Sequence, residues 1–245
     1  MIPGTGIPHP SKARVAGAIG AVLSDAFAVG QRLRHPRPIH PRGVVLSGHV
    51  RWLPDADPSG VAWIDRGSDG PVPVVARVSR SIGLPASLPD IIGLALRVDT
   101  DGVAADIELA STGWTVPARF ALLPHRRVER ARFSTIFPYR GTYGPVLLGA
   151  RTRSGRPPAT DPREPADADD RAWSLTLGHA TAFGAWHPFA VADLRLDADQ
   201  DDAGLRFDAV RRPLPGSRAY AWVRAARQPS YTRVQPDDAE VRRPR

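Results

Sequence analysis

Three short segments of the chain carry side chains that can move protons or bind anions and metals. The first is Arg37-Pro-Ile-His40-Pro-Arg-Gly43, in which a histidine stands between two prolines. A residue that precedes proline is biased away from the α region, so we expect His40 to be held in a rigid, extended backbone. Gly43 has no side chain, so another group can approach the backbone closely there. A turn with a surface histidine is the alternative explanation of this segment.

The second segment places an arginine and a serine on one face of an apolar strand, in Val74-Val-Ala-Arg77-Val-Ser79-Arg80. Because successive strand residues point to opposite faces, Arg77 and Ser79 share a side. If that side is buried, both polar groups need partners, and an anionic ligand would satisfy both of them. An exposed strand face is the alternative. The stretch Leu88-Pro89-Asp90-Ile-Ile-Gly93-Leu-Ala95-Leu-Arg97 follows shortly after.

The third segment is Arg227-Gln-Pro-Ser-Tyr231, in which an arginine precedes a tyrosine by four residues. In a helix this spacing brings the guanidinium beside the phenol. A neighbouring cation favours the phenolate form. A phenolate is a hard anionic ligand suited to ferric iron, and tyrosine is among the axial ligands of haem. An ordinary Arg–Tyr contact near the end of the chain is the alternative.

Taken together, the three segments resemble the haem catalase superfamily in their order and local spacing. Arg37-x-x-His40-x-x-Gly43 is similar to the segment that carries the distal histidine of that family. Val-Ala-Arg77-Val-Ser79 resembles its Val-Arg-Phe-Ser strand, and the stretch from Pro89 to Arg97 resembles its Asp-Pro-Arg-Gly-Phe-Ala-Val-Lys sequence. Arg227-x-x-x-Tyr231 is similar to the motif whose tyrosine binds the iron. The chain most resembles the short catalase-related proteins that keep the haem barrel alone.

The resemblance implies a role for each matching residue. His40 would be the distal acid/base that moves a proton between the two peroxide oxygens. The ordinary pKa of an imidazole is about 6.5, which suits such a shuttle. Ser79 would bond the other nitrogen of His40 and fix its tautomer. Arg37 and Arg77 would face the haem propionates, because a guanidinium fork matches a carboxylate. Tyr231 would be the axial ligand of the iron, and Arg227 would keep it ionised.

Two positions depart from the family pattern. The family has a Gly-Asn-Asn-Thr-Pro segment that supplies a distal asparagine, whereas this chain has Glu108-Leu-Ala110-Ser111-Thr112-Gly113. No asparagine is available there, and Ser111 would substitute for it only in part. Full catalases carry a further propionate-binding arginine seven residues after the tyrosine, and here that residue is Asp238. The missing asparagine favours a peroxidase or a hydroperoxide-rearranging enzyme over a catalase proper. Asp238 in place of the arginine implies either a lower haem affinity or a different path of the C-terminal segment.

Two hypotheses for the function follow. The first is a haem-dependent, peroxidase-type enzyme that acts on hydrogen peroxide or an organic (lipid) hydroperoxide. The second is a catalase-like barrel that binds haem without catalysis, or a degenerate pseudoenzyme.

The elements that must position these residues are predicted to be mostly strands. Short apolar runs bounded by Pro, Gly and Asp are typical of an all-β protein. Asp101-Gly102 between two of these runs predicts a hairpin. We predict a mainly β member of the α+β class, and the resemblance implies an antiparallel eight-stranded catalase-like barrel with flanking helices. The predicted strands cover Gly43–Leu53, Val72–Ser79, Gly93–Val98, Ala104–Glu108, Pro145–Thr152, Ala172–Leu177, Phe189–Leu196 and Gly204–Asp208. The predicted short helices are Leu88–Ile92, Glu129–Arg132 and Ser217–Ala226.

We divide the chain into an N-terminal helical arm at 1–36, a haem barrel domain at 37–235 and a flexible tail at 236–245. Within the barrel domain, the stretch 153–171 is rich in Pro, Arg, Asp and Ala without apolar periodicity, which indicates a mobile loop. The apolar run from Val15 to Phe27 contains Asp25 and is shorter than the ~20 residues of a membrane span. Its apolar spacing favours an amphipathic helix over a signal peptide. We therefore expect a cytoplasmic protein.

Composition excludes several classes of protein. The 245 residues carry 33 basic and 25 acidic side chains, for a formal net charge of +8 that is scattered along the chain. Scattered charge does not indicate a specific nucleic-acid partner. There is no cysteine, so disulfides, thiolate metal sites and cysteine nucleophiles are excluded. The spacing of His35, His40 and His49 suits no single strand face, which argues against a histidine-ligated metal. A Gly-x-Ser-x-Gly elbow is also missing, which argues against a serine hydrolase.

Overall fold

The computed structural model describes residues 40, 42–100, 102–161, 172–202, 204–221 and 223. Over this part of the chain it contains ten strands: β1 Gly43–Trp52, β2 Val72–Arg80, β3 Ile92–Thr100, β4 Val103–Thr112, β5 Arg132–Ser134, β6 Tyr139–Gly141, β7 Gly144–Ser154, β8 Trp173–Ala180, β9 His187–Leu196 and β10 Arg218–Ala219. Helical structure in the same ranges is short: the α-helix α1 at Ala62–Arg66 and 3₁₀ turns at Ala118–Phe120 and Val128–Arg130. Ala221 and Val223 are also helical.

Eight of the strands close into an antiparallel barrel. They pair in the order β1-β2-β3-β4-β5-β7-β8-β9, and β9 pairs with β1 to complete the ring. The short strands β6 and β10 add to the edge of β7. The predicted fold, a mainly β, eight-stranded antiparallel barrel, is therefore confirmed.

Alternation along the strands separates the barrel interior from its outer face. Leu46, Ala76, Leu96 and Ile107 are direct partners on β1 to β4, and all four side chains are buried in the core. Direct partners in an antiparallel pair share a face and successive residues alternate between faces, so the row three residues along each strand points outward. That outward row consists of Gly43, Ser79, Gly93 and Ala110. The second motif of the sequence analysis therefore lies on the outer face of the barrel.

Seven of the eight predicted strands correspond to observed strands, to within a few residues at their ends. The predicted hairpin is also confirmed, since Thr100 pairs with Val103 and Gly102 has a positive φ of 76°. The strand predicted at Gly204–Asp208 is wrong, because that segment begins in a turn and continues as irregular structure. Its backbone atoms bind side chains of β3 and β4 instead of a neighbouring strand: Arg206 O accepts from Arg97, and Asp208 N–H donates to Asp106.

The predicted helices are less accurate than the strands. The helix at Leu88–Ile92 is wrong: Leu88 and Asp90 lie in the β2–β3 connection, and Ile92 begins β3. At Glu129–Arg132, a 3₁₀ turn ends at Arg130 and β5 begins at Arg132. At Ser217–Ala226, the structure has the strand β10 at Arg218–Ala219, whereas Ala221 and Val223 are helical as predicted. The other residues after Ala221 lie outside the described ranges.

Several predicted regions also fall outside the described residues: the arm at 1–36, the tail at 236–245 and residues 162–171 of the predicted loop. The first two residues of that loop, Arg153 and Ser154, belong to β7. No helix among the described residues is long and apolar enough to cross a membrane.

Candidate functional site

His40 lies on the outer face of the barrel, against the β2–β3 side. Its backbone N–H donates to Ser81 O over 2.8 Å, which ties it to the end of β2. Its imidazole ring covers Gly93 of β3: a Cβ atom built on Gly93 would stand 2.5 Å from His40 Cε1 and 2.8 Å from Nδ1. Any side chain at position 93 would therefore displace the ring. A glycine is required there because of this close approach.

Ser79 holds the ring from below. Its side chain is buried on the outward row of β2, directly opposite Gly93, and its Oγ shares a hydrogen bond with His40 Nδ1 over 3.0 Å. A hydrogen-bond partner on Nδ1 restricts the orientation of the imidazole ring. The structure thus brings together two of the residues that the sequence analysis selected, in the contact that the family resemblance implies.

The backbone of His40 differs from the sequence-based expectation. We predicted an extended conformation because a proline follows, but His40 has a φ of 55°, in the left-handed region. Histidine is one of the non-glycine residues that adopt this region, and it does so at a cost in free energy. The surrounding contacts offset that cost: Ser81 O binds its N–H, Ser79 binds its ring, and Arg77 Nη2 donates to its carbonyl oxygen over 3.0 Å.

Arg77 binds a carboxylate of the chain itself. Its Nε forms a short ion pair with Asp202 Oδ1, and its Nη2 lies 3.2 Å from Asp202 Oδ2. The guanidinium lies over Gly43, where a Cβ atom would stand 2.6 Å from Arg77 Cζ. The close approach predicted at Gly43 is thus made by Arg77. Asp202 also accepts the N–H of Gly43 over 3.0 Å.

Ser111 bonds to other groups than the cluster around His40. Its Oγ accepts from Ile92 N–H over 2.9 Å and donates to Leu123 O over 2.7 Å, and its side chain is completely buried. On β4 it is Ala110, the direct partner of Gly93, that belongs to the outward row. The Ser111 hydroxyl therefore joins β3 and β4 to the segment around Leu123.

A second polar cluster shapes the connection that carries Ser81. The buried carboxylate of Asp90 accepts the backbone N–H groups of Ile82, Gly83 and Leu84 at 2.9–3.1 Å. The buried guanidinium of Arg80 donates to Leu84 O, Pro85 O and Leu88 O. Within the predicted helix itself, Leu88 O accepts from Arg80, and the backbone of Asp90 pairs with that of His125. Ile92 N–H donates to Ser111 Oγ, so these backbone groups are bonded outside a helix.

A groove lies on the same outer face but further along the strands. It encloses about 790 Å³ and is lined by residues that include Ser47, His49, Val75, Arg97 and Arg195. Ser47 is four residues from Gly43, which corresponds to about 13 Å along β1. The groove and the His40 cluster are thus separate features of one surface.

Arg37, Arg227 and Tyr231, which the sequence analysis assigns to cofactor binding and iron ligation, lie outside the described residues. Within the described ranges, no group of three or more His, Asp or Glu side chains is placed to hold a metal ion. His40 nevertheless fits one side of a haem, because its imidazole lies against the sheet over Gly93 and is bonded to Ser79.

Sequence reasoning did not select Asp202, although it binds both Arg77 and the first residue of β1. Asp202 is separated from Arg77 by 125 residues, and it lies in a segment rich in aspartate that has no apolar period. No local signal distinguishes it from the neighbouring acidic residues. Its contact arises only from the path of the chain after β9.

Comparison with known proteins supports the fold. No protein-family profile and no curated protein sequence matches the chain. Among solved structures, a fungal catalase is similar over 88% of this chain and 62% of its own, with a TM-score of 0.57 and 12% identity. Catalase A from Saccharomyces cerevisiae is similar over 89% of this chain and 63% of its own, with a TM-score of 0.59 and 12% identity. The chain thus spans less than two thirds of these catalases, and it has a catalase-like fold.

Proposed function

We propose that this protein is a haem-dependent enzyme that acts on hydrogen peroxide or an organic hydroperoxide. The observation that carries the proposal is the His40 ring, held by Ser79 over Gly93 on the outer face of a catalase-like barrel. Tyr231 would ligate the iron, and Arg227 and Arg37 would bind the phenolate and a propionate, as the family resemblance implies. A bound haem would supply the iron redox chemistry that cleaves the peroxide O–O bond.

In this proposal His40 is the group that moves the proton. Nε2 would take a proton from one peroxide oxygen and deliver it to the other as that oxygen leaves, which is general acid–base catalysis by one imidazole. The hydrogen bond between Nδ1 and Ser79 Oγ would hold the ring, which leaves Nε2 as the nitrogen that exchanges the proton. The constraint on the backbone of His40 limits the movement of the ring, so the proton-transfer geometry is set before the substrate binds.

A second candidate is a catalase-like barrel that binds haem without turning over peroxide. The observation that favours it is the state of Ser111, the residue that would replace the distal asparagine. Its hydroxyl is bonded to Ile92 N–H and Leu123 O. The primary proposal therefore assigns proton transfer to His40 alone and expects no peroxide-binding contribution from Ser111.

The first experiment is an absorption spectrum of the full-length protein expressed with a haem precursor, compared with that of Tyr231→Phe. We expect a high-spin ferric haem band in the wild type that shifts or disappears in the variant. Tyr143→Phe provides the matched control, because Tyr143 is an exposed tyrosine beside the start of β7, and it should keep the wild-type spectrum. A colourless protein that also fails to take up haem on reconstitution would overturn the proposal.

The second experiment separates the two candidates. In haem-loaded protein, His40→Ala should keep the haem spectrum and lower peroxide turnover by about 10²–10⁴-fold, the range typical of general acid–base groups. His49→Ala is the matched control, because His49 is an exposed histidine of the same barrel on β1. Wild-type protein that binds haem but reacts with neither hydrogen peroxide nor cumene hydroperoxide would favour the non-catalytic barrel.

A further inference from the structure

The segment that follows β9 crosses the outer face of the barrel and contacts β1, β2, β3 and β4. Asp197 N–H donates to Val45 O, so the segment starts beside β1. Asp202 then reaches Gly43 and Arg77 on β1 and β2. Further along, Arg206 O and Asp208 N–H bind Arg97 and Asp106 on β3 and β4. We call residues 197–202 and 204–212 the strap.

The strap is anchored at its far end by a buried carboxylate. Asp106 is fully buried, and it accepts two bonds from Arg97, at 2.7 and 2.9 Å, together with the N–H of Asp208 at 2.7 Å. Its own backbone N–H donates to Arg212 O over 2.8 Å. This end of the strap is therefore fixed by charge-assisted hydrogen bonds, which are stronger than neutral ones. Because this end of the strap is fixed, the positions that Asp202 can adopt are restricted.

Asp202 acts on His40 through one intermediate side chain. The guanidinium of Arg77 binds Asp202 through Nε and Nη2, and the same Nη2 donates to the carbonyl oxygen of His40. The side chains of Arg77 and Asp202 are only 9% and 17% exposed, so water screens their interaction little. Rotation of the guanidinium would break the bond to His40 O, and the carboxylate opposes that rotation.

We infer that Asp202 is a positioning residue for His40: it orients the Arg77 guanidinium, which in turn holds the left-handed backbone of His40. The Asp202 carboxylate thus binds the two guanidinium nitrogens of Arg77 that the family resemblance assigns to a haem propionate. Arg77 therefore serves the geometry of His40 and does not bind the cofactor. The role of His40 in proton transfer rests on the proposed function, but the positioning of its ring does not.

The test is the position of the His40 ring in the haem-free, full-length protein. The His40 resonances in a ¹H–¹³C spectrum of the histidine rings are assigned by their loss in His40→Gln. Asp202→Asn keeps the size of the side chain but removes its charge and one acceptor. We expect it to shift or broaden the His40 signals while the His179 and His187 signals, from β8 and β9, stay unchanged. Arg77→Lys, which keeps the charge but loses the fork, should have the same effect.

Asp193→Asn is the matched control, because it removes another arginine–aspartate pair of the barrel, Arg51–Asp193, away from His40. It should leave the His40 signals in place. Folded Asp202→Asn protein with unchanged His40 signals would overturn the inference. Should Asp202→Asn fail to fold, Arg77→Lys is judged by the same criterion.

The haem-loaded protein gives a second measurement. Asp202→Asn should lower kcat for peroxide by about 10–100-fold with a smaller change in KM, as expected for a displaced catalytic group. It should leave haem affinity unchanged, because Arg77 does not bind the propionates here. A weakened haem affinity without a shift of the His40 signals would contradict the inference. The failure of the proposed function would instead show as a colourless wild type whose His40 signals still respond to Asp202→Asn.

Discussion

The positions of the His40 and Arg77 side chains on the outer face depend on two glycines. Gly43 and Gly93 flank Ser79 across β1, β2 and β3. The Arg77 guanidinium lies over the first glycine, and the His40 imidazole lies over the second. Both side chains can therefore lie flat against the sheet and bond to their neighbours. The polar cluster is built by the glycines as much as by the residues that carry its functional groups.

Gly93→Ala tests this dependence. Its Cβ would stand 2.5 Å from His40 Cε1, closer than any real contact, so the imidazole has to leave its place and its bond to Ser79. We expect the His40 ring signals to shift and peroxide turnover of haem-loaded protein to fall about 100-fold, as for a group displaced by about 1 Å. The barrel core, on the opposite face, should be retained, so far-UV circular dichroism should not change.

Gly70→Ala is the control for that substitution, because nothing lies within 4 Å of the added atom. It should leave both turnover and the His40 signals as in the wild type. Gly93→Ala protein with wild-type turnover and unshifted His40 signals would show that the His40 ring does not need a glycine at position 93.

At the level of elements, strands were easier to predict from the sequence than the segments between them. The alternation of β2 placed Arg77 and Ser79 on one face correctly, since a period of two is visible in seven or eight residues. The Asp90 turn and the strap have no such period. Their shape depends on side chains that capture backbone groups, as Asp90 does for Ile82, Gly83 and Leu84. Such captures leave no periodic pattern in the sequence.

Another contact between elements joins the β8–β9 hairpin to the segment before α1. His179 Nε2 lies 2.9 Å from Asp57 O, and His187 Nδ1 lies 2.6 Å from Asp57 Oδ2, with the two rings stacked 5.4 Å apart. Burial lowers the pKa of His179 below its ordinary value of 6.5, and the charge of His187 acts in the same direction. The bond to Asp57 and the charges of Asp57 and Asp65 oppose this shift.

The lowered pKa of His179 predicts a loss of stability in acid. The unfolded chain binds a proton at this histidine as the pH falls through about 6.5, whereas the folded chain binds it only at lower pH. Stability from this group is therefore complete above about 6.5 and is lost as the pH falls toward the folded pKa. Thermal unfolding followed between about pH 7.5 and about pH 5 should show a decreasing Tm.

His179→Gln should flatten that dependence, although not abolish it, because burial lowers the pKa of His125 as well. His49→Gln, at an exposed position of β1, should keep the wild-type slope. An unchanged slope in His179→Gln would assign the acid sensitivity to other groups.

For the whole molecule, the barrel could be predicted from the sequence only through the order of its motifs. Local patterns predict the strands, but not that β9 would pair with β1, because this pairing joins residues far apart in the chain. The same limit applies to the site. His40 and Ser79 were predicted as partners from motif order, whereas Asp202 comes into contact with Arg77 across 125 residues only once the barrel has closed.

Binding of haem to the whole molecule should appear as a gain in stability, separate from any catalysis. A ligand present at about 100 times its Kd and bound only by the folded state adds about 2.7 kcal/mol to the free energy of unfolding. For a chain of this size that corresponds to a rise in Tm of roughly 5–10 °C. Scanning fluorimetry with and without haem measures this rise. His40→Ala should keep it, since the distal histidine is not an iron ligand in the proposal, and Tyr231→Phe should lose most of it. An equal rise in wild type and Tyr231→Phe would mean that haem binds without this tyrosine, and the motif order would then not describe the cofactor site.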